Sequence, residues 1–298
     1  MSESISVGYV LIPFTVTDPK GRVVKNLRAS DVTLLIDGAP VRTDFFHRAV
    51  DAPVSFTILL DGSGSMALAG KLEGATSAIR ELLNEPIEGD DYALFVFARG
   101  AVTEVVPFTT DGSAILRAVE SVRPFGRTAF FDALAAIPEK TLLGRNGSRA
   151  IILLTDGIDN ASSLDEASVQ GMLEGIEVPV YPLGLRSLQA VTQQRTRSAE
   201  SLVDIELLGR IARASGGRVA IADRPETLKA AIAQITNDLR SQYLIGFSPT
   251  GQGPVRYRRI EVALAGDDRL VRARAGYRGT EPPRLPSNRS GKEGKKGK

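Results

Sequence analysis

The feature that most constrains this chain is an apolar run, residues 54–60, that leads directly into the carboxylate of Asp61. A mostly apolar run of this length is typical of a strand that is buried on both faces of a parallel sheet. Asp61 then lies at the carboxyl end of that strand, the edge at which open α/β sheets bind ligands. Ser63 and Ser65 follow in a glycine-containing loop, so three oxygen groups lie close together in the sequence. Oxygen groups of this kind favour a hard divalent cation.

Two later segments add oxygen groups and decide between this interpretation and a simpler one. Asp, Gly and Ser also form ordinary turns, and Ser65 could merely cap the next helix. However, Thr128 lies within residues 126–134, and Asp156 follows a second apolar run, residues 151–155. Two acids that each end a buried strand are expected at the same edge of the sheet. The sequence therefore predicts a metal site made of Asp61, Ser63, Ser65, Thr128 and Asp156. Mg²⁺ is favoured, with Mn²⁺ or Ca²⁺ as alternatives.

These three segments, in this order, resemble the metal-ion-dependent adhesion site of von Willebrand factor A domains. The resemblance covers roughly residues 53–240 and supports the metal site as a whole. It implies that the hydroxyls bind the ion directly, while the carboxylates often act through water. It also implies that an Asp or Glu side chain of a protein partner completes the coordination. The function implied is metal-dependent protein binding without enzymatic activity.

Several residues near the predicted site also have simpler interpretations. Thr128 could be a helix N-cap, and Asp132 is interpreted as an acid at a helix N-terminus, outside the metal's ligands. Asp159 and Asn160 are interpreted as caps of the next helix, with a supporting role behind the ligands as the alternative. Arg127 could shape access to the metal or meet an acidic partner, and an ordinary surface position is as plausible.

Composition excludes several other functions. The chain has no Cys, which rules out zinc–thiolate sites and thiol catalysis. It has a single histidine, His47, which rules out multi-His metal sites. His47 itself is expected to be a packed or surface residue. The net charge of +2, from 37 basic and 35 acidic residues, gives no reason to expect nucleic acid or an anionic membrane as a partner. No apolar run reaches the length of about 18 residues that a membrane span needs.

The pattern of strands and helices predicts an α/β domain inserted into a β-sandwich. Residues 1–52 have the pattern of short strands, with a hairpin turn at Asp37-Gly38 followed by a returning strand at residues 41–46. Residues 53–240 alternate apolar strands with helices, which predicts a doubly wound, mostly parallel sheet flanked by helices. Residues 241–279 are again strand-like and would complete the sandwich.

The remaining residues, 280–298, are rich in Pro, Gly, Ser and Lys, which predicts a disordered basic tail, with a polyanion anchor as the alternative. The order β, α/β, β resembles bacterial von Willebrand factor A-related proteins, which are usually exported. The first residues, however, lack the basic and apolar regions of a signal peptide. Localisation is therefore left open, and only the family analogy suggests a secreted or periplasmic protein.

Two other functions compete with protein binding. A metal-assisted hydrolase such as a phosphatase could use a metal-bound water as its nucleophile, although no motif positions a general base. Position 63 is Ser, so the Asp-x-Asp loop of haloacid-dehalogenase phosphatases is absent, and the sequence has no Walker A segment. The other alternative is a structural scaffold with a vestigial site.

Overall fold

The computed structural model describes residues 9–50, 52–98, 100–156, 161–163, 166–186, 205–265 and 268–283. The interpretations of Asp159 and Asn160, and most of the predicted tail, lie outside these residues. The strands are β1 (Val10–Thr17), β2 (Val32–Ile36), β3 (Ala39–Pro40), β4 (Phe45–Arg48), β5 (Val54–Asp61), β6 (Asp91–Ala98), β7 (Ala101–Thr109), β8 (Ser148–Thr155), β9 (Val180–Leu185), β10 (Ala220–Ala222), β11 (Tyr243–Phe247), β12 (Arg256–Leu264), β13 (Leu270–Ala273) and β14 (Gly276–Gly279). The helices are α1 (Lys71–Leu82), α2 (Gly112–Ser121), α3 (Phe130–Thr141), α4 (Glu166–Gly175), α5 (Ile205–Ser215) and α6 (Pro225–Arg240).

A six-stranded sheet with the order β10-β9-β8-β5-β6-β7 forms the centre of the α/β part. Its strands are parallel except for β7, which pairs with β6 in the antiparallel sense. All eight residues of the central strand β5 are buried. Phe56 and Ile58 pack into a core with α1, α2 and α6, whereas Leu59 packs into a second core with α3, α4 and α5. Because helices cover both faces, this strand is buried along its whole length, and its polar residues Ser55 and Thr57 are buried together with the apolar ones.

The two ends of the chain form two antiparallel sheets of four strands each. One has the order β13-β1-β11-β4 and the other β14-β12-β2-β3, so each combines strands from before and after the α/β part. Both sheets contribute to a third core, in which Phe14, Leu34 and Tyr243 are fully buried or nearly so. The predicted fold class, a doubly wound sheet inserted into a sandwich of N- and C-terminal strands, is confirmed.

The strand that follows the first hairpin turn differs from the strand that the sequence predicts. Asp37 and Gly38 both have positive φ values, 53° and 77°, as a two-residue hairpin turn requires. The returning strand is only β3, which ends at Pro40, a residue without the N–H that a longer ladder needs. The chain then crosses over, and β4 pairs with β11 in the other sheet. The expected strand at residues 41–46 is therefore wrong in its position and its partner.

Among the described residues, no helix combines the length and the apolar character that crossing a membrane requires.

A buried ion pair fastens the end of α6 to the start of the central sheet. The Asp90 carboxylate is 2.7 Å from the Arg240 guanidinium and accepts hydrogen bonds from the backbone N–H groups of Val54 (2.8 Å) and Ile87 (2.9 Å). Burial raises the pKa of Asp90, but Arg240 and the backbone donors outweigh it and hold the pKa below its usual value. The charged form is thus the one that the fold stabilises.

Asp90→Asn is expected to lower the free energy of unfolding by about 3 kcal/mol, because it leaves the buried Arg240 side chain without its charged partner. Since the folded-state pKa is depressed, this stabilisation is present above the ordinary pKa of 3.8 and is lost as the pH falls through the folded-state value. Urea unfolding between about pH 7 and about pH 3 measures it. The matched control is Asp223→Asn, whose carboxylate is half-exposed and should change stability by less than about 0.5 kcal/mol. An equal effect of the two substitutions at neutral pH would contradict the assignment.

Candidate metal centre

Two carboxylates lie side by side at the carboxyl edge of the central sheet. Strands β5 and β8 are parallel neighbours in which Leu60 is level with Leu154, so the two strands end together. Asp61 is the last residue of β5, and Asp156 follows the last residue of β8. Their exposed fractions are 0% and 2%. The sheet therefore brings together the two acids that the sequence predicted as metal ligands, and it buries both.

Hydrogen bonds occupy both oxygens of the Asp61 carboxylate. The Thr155 hydroxyl donates to Oδ2 at 2.7 Å, and the backbone N–H of Ser63 donates to Oδ1 at 2.9 Å. Burial raises the pKa of Asp61 to about 6, although the bonds from Ser63 and Thr155 oppose the rise and the nearby charge of Asp156 adds to it. Two hydrogen bonds thus compensate only part of the cost of this buried charge, and a cation would compensate more of it.

The two predicted serine ligands lie in the loop that follows β5. Their hydroxyl oxygens are 3.1 Å apart, and Ser63 is buried whereas Ser65 is half-buried. The loop turns into a short 3₁₀ helix, Gly64–Ala67. Gly62 permits the close approach of this loop to β6, because a Cβ at position 62 would lie 2.6 Å from Cγ1 of Val96. The hydroxyls are therefore positioned by backbone packing that needs a glycine.

The loop that carries Thr128 is hydrogen-bonded to the serine loop. The backbone N–H of Gly64 donates to the carbonyl of Gly126 at 3.0 Å, and the N–H of Phe125 donates to the carbonyl of Gly62 at 2.9 Å. Thr128 itself is 1% exposed, just before the start of α3. The structure thus places the first and second predicted segments of the site against each other.

Asp156 pairs with a lysine that the sequence analysis missed. Lys71 Nζ lies 2.7 Å from Asp156 Oδ2, and both side chains are buried. The other oxygen, Oδ1, is buried and has no hydrogen-bond partner among the described residues. An unpartnered buried carboxylate oxygen is costly unless a ligand or an ion satisfies it. This oxygen is the clearest sign that a further group belongs at the site.

The neighbouring polar residues have structural roles. The Asp132 carboxylate accepts hydrogen bonds from the backbone N–H (3.1 Å) and the hydroxyl (3.1 Å) of Ser163. The Ser162 hydroxyl accepts from the N–H of Phe131 at 2.9 Å and so caps α3. His47 is an exposed residue of β4 in a terminal sheet. The interpretations of Asp132 as a helix-terminal acid and of His47 as a surface residue agree with these contacts.

The oxygen groups of the predicted site suit a hard cation whose coordination shell is completed by other ligands. Within the described residues, no group of three or more His, Cys, Asp or Glu side chains could hold a metal. The predicted ligand set instead consists of two carboxylates and three hydroxyl-bearing side chains. Mg²⁺ and similar ions accept such all-oxygen sets and commonly retain waters. The residues present therefore fit a divalent cation of this class.

Comparisons with known proteins agree with the fold. Residues 56–158, which include all five predicted ligands, match the family model of the von Willebrand factor type A domain. An uncharacterized protein of Borreliella burgdorferi is 27% identical over 146 residues, which are 46% of this chain and 42% of that protein. This chain thus matches less than half the length of that relative.

Two solved structures are similar to this chain. A von Willebrand factor type A protein from Catenulispora acidiphila is similar with a TM-score of 0.51 and 15% identity, over 85% of this chain and 74% of that chain. An aerotolerance-related membrane protein from Bacteroides fragilis, with multiple mutations to serines, gives a TM-score of 0.48 and 25% identity, over 62% of this chain and 98% of that chain.

Two contacts of the site escaped the sequence analysis, and each left a signal. Lys71 lies four residues before Ala75 and seven before Ala78, both buried residues of α1, so it shares their helix face. A cation in the first turn of a helix also opposes the helix dipole. Thr155 is the single hydroxyl at the end of an apolar run, one residue before the acid. A polar group in such a position indicates a specific partner.

Asp61→Asn is expected to stabilise the metal-free protein at about pH 7 by on the order of 1–3 kcal/mol. Asn can accept the Ser63 hydrogen bond and donate to the Thr155 hydroxyl, while the buried charge is removed. Because the folded-state pKa is about 6 against an ordinary 3.8, the folded protein binds more protons between these values. The wild type therefore loses this part of its stability as the pH rises through that window, and the variant does not.

Urea unfolding in EDTA at about pH 4 and about pH 7 measures the difference, with Asp223→Asn as the exposed control. A variant that is less stable than the wild type at neutral pH would show that the Asp61 charge is already compensated.

Proposed function

Since residues 56–158 match the family model of the von Willebrand factor type A domain, we propose that this protein is a metal-dependent protein-binding module. A divalent cation, Mg²⁺ in the first place, binds at the carboxyl edge of the central sheet. An acidic side chain of a protein partner completes its coordination. The residues that would hold the ion are Asp61, Ser63, Ser65, Thr128 and Asp156.

One observation carries this proposal: within the part of the chain that the structure describes, Oδ1 of the buried Asp156 has no hydrogen-bond partner. It lies beside the buried carboxylate of Asp61. Burial keeps the pKa of that group raised, although its hydrogen bonds act to lower it. A fold tolerates such a cluster of negative charge when a cation compensates it. The carboxylates supply the charge, and the hydroxyls of Ser63 and Ser65 supply further oxygens without adding charge.

The role of the partner follows from the charge of the loaded site. Two carboxylates balance a divalent ion, and three neutral hydroxyls leave it less neutralised than a site of three or four acids would. A cation in such a site attracts an anionic oxygen from outside. An Asp or Glu side chain on another protein provides that oxygen, which is why binding should require the metal.

Binding, rather than hydrolysis, is proposed because the chain offers few groups for chemistry on a bound substrate. It has no Cys, and its single His47 is exposed on a terminal sheet. Asp132, the acid next along the chain from Thr128, is engaged with Ser163. A phosphatase and esterase screen in Mg²⁺ or Mn²⁺ tests this part, and turnover that Asp61→Asn abolishes would overturn it.

Substitution of single hydroxyls tests the metal site. Ser65→Ala and Thr128→Ala should each weaken Mg²⁺ binding by about tenfold, because each removes one neutral oxygen ligand. Asp156→Asn should weaken it further by removing a charge. Isothermal titration of Mg²⁺ into EDTA-treated protein measures these changes. The matched control is Ser121→Ala on α2, where the hydroxyl only donates to the carbonyl of Ala118.

Partner capture tests the protein-binding claim. Immobilised wild-type protein should retain a partner from an extract of its source organism in Mg²⁺ and release it in EDTA. The Asp61→Asn variant should retain none, while Ser121→Ala should behave as the wild type. A partner that stays bound in EDTA, or that Asp61→Asn holds equally well, would contradict a metal-dependent contact.

A further inference from the structure

The ammonium group of Lys71 already occupies one oxygen of a proposed metal ligand. Lys71 Nζ is 2.7 Å from Asp156 Oδ2, with 9% and 2% of the two side chains exposed. A salt bridge with this little exposure is poorly screened by water, so the two charges interact strongly. Lys71 is therefore part of the site's charge balance and not a peripheral surface lysine.

Two ordinary preferences act against this placement of Lys71, one from the helix dipole and one from the backbone conformation. Lys71 is the first residue of α1, where the helix dipole disfavours a positive charge. The two residues before it, Ala69 and Gly70, have φ values of 57° and 75°, and the left-handed region is unfavourable for a residue with a Cβ. Lys71 N also donates to the carbonyl of Leu68 at 3.2 Å, which closes the turn. The pairing with Asp156 explains why a lysine stands at this position.

The charges of the site set Lys71 and a divalent ion in competition for the carboxylate of Asp156. Asp61 and Asp156 carry two negative charges, and Lys71 neutralises one of them. A divalent ion alone would balance both carboxylates, so an ion and the ammonium group together give the site an excess positive charge. Each cation therefore weakens the binding of the other, and both depend on the same carboxylate of Asp156.

We infer that Lys71 is a tethered cation that holds Asp156 in the metal-free protein and is displaced from it when a divalent ion binds. This inference rests on the proposed function. It assigns to Lys71 a role as a positioning and affinity-setting residue: the lysine compensates the charge of Asp156 through Oδ2 before loading and keeps the metal affinity low. After loading, the released ammonium group leaves positive charge at the rim, which favours an acidic partner side chain.

Replacement of Lys71 tests the competition directly. In Lys71→Met and Lys71→Gln, Mg²⁺ should bind at least about tenfold more tightly than in the wild type, as measured by isothermal titration into EDTA-treated protein. Lys71→Arg keeps the charge and should retain the weak affinity of the wild type. Lys229→Met removes an exposed lysine that pairs with Glu81 at 3.5 Å, and should change nothing.

The outcomes separate this inference from the proposed function. If the wild type binds Mg²⁺ and Lys71→Met binds it with equal or lower affinity, the inference is wrong while the metal site stands. If the wild type fails to bind and Lys71→Met binds, the lysine blocks the site and the inference is supported. If neither the wild type nor any Lys71 variant binds Mg²⁺, and their titrations are the same as that of Asp61→Asn, the proposed metal site is wrong and the inference is wrong with it.

A measurement on the wild type keeps the test valid if the Lys71 variants do not fold. Acetylation of lysines by an amine-reactive ester, followed by mass spectrometry, reports the accessibility of Lys71. Its labelling rate should rise several-fold on addition of Mg²⁺ because the buried pair with Asp156 opens, while that of the exposed Lys229 stays constant. Unchanged or slower labelling of Lys71 under conditions in which titration detects bound Mg²⁺ would overturn the inference.

Discussion

Two carboxylates buried at the ends of neighbouring parallel strands set the condition on which the rest of this site depends. The pairing of β5 with β8 brings Asp61 and Asp156 to the same edge of the sheet, with Asp156 one residue beyond the end of β8, and both are removed from water. Two buried charges of the same sign are costly unless neighbouring groups compensate them. The Thr155 hydroxyl, the Ser63 N–H and the Lys71 ammonium group each compensate part of this charge. The Oδ1 atom of Asp156 has no hydrogen-bond partner in the described ranges of the chain.

The architecture keeps these groups together through contacts away from the acids. Helices on both faces of the sheet make β5 and β8 buried strands that end sharply at the polar edge. The hydrogen bonds between the loops at Gly62–Gly64 and Phe125–Gly126 hold the serine loop and the Thr128 loop against each other. At the opposite end of β5, Asp90 and Arg240 fix the start of the strand. The site thus depends on packing along the whole length of the central strand.

The sequence allowed the sheet and its acids to be predicted, but not the contact that compensates one of them. Asp61 and Asp156 stand out because each follows a mostly apolar run, a pattern determined locally by burial. Helix periodicity places Lys71 on the buried face of α1, but it does not identify the partner, which lies 85 positions later in the chain. The same reason explains the error after Pro40. A hairpin turn is encoded by two adjacent residues, whereas the pairing of β4 with β11 joins segments about 200 positions apart and depends on how the sheets assemble.

The most direct test of the central claim is the anomalous scattering of Mn²⁺ in crystals of EDTA-treated protein to which Mn²⁺ has been added. The account predicts one strong peak at the carboxyl edge of the central sheet, within bonding distance of the serine hydroxyls and between Asp61 and Asp156, with Lys71 Nζ moved away from Asp156. A crystal in which this edge gives no peak and Lys71 still contacts Asp156 at saturating Mn²⁺ would contradict it.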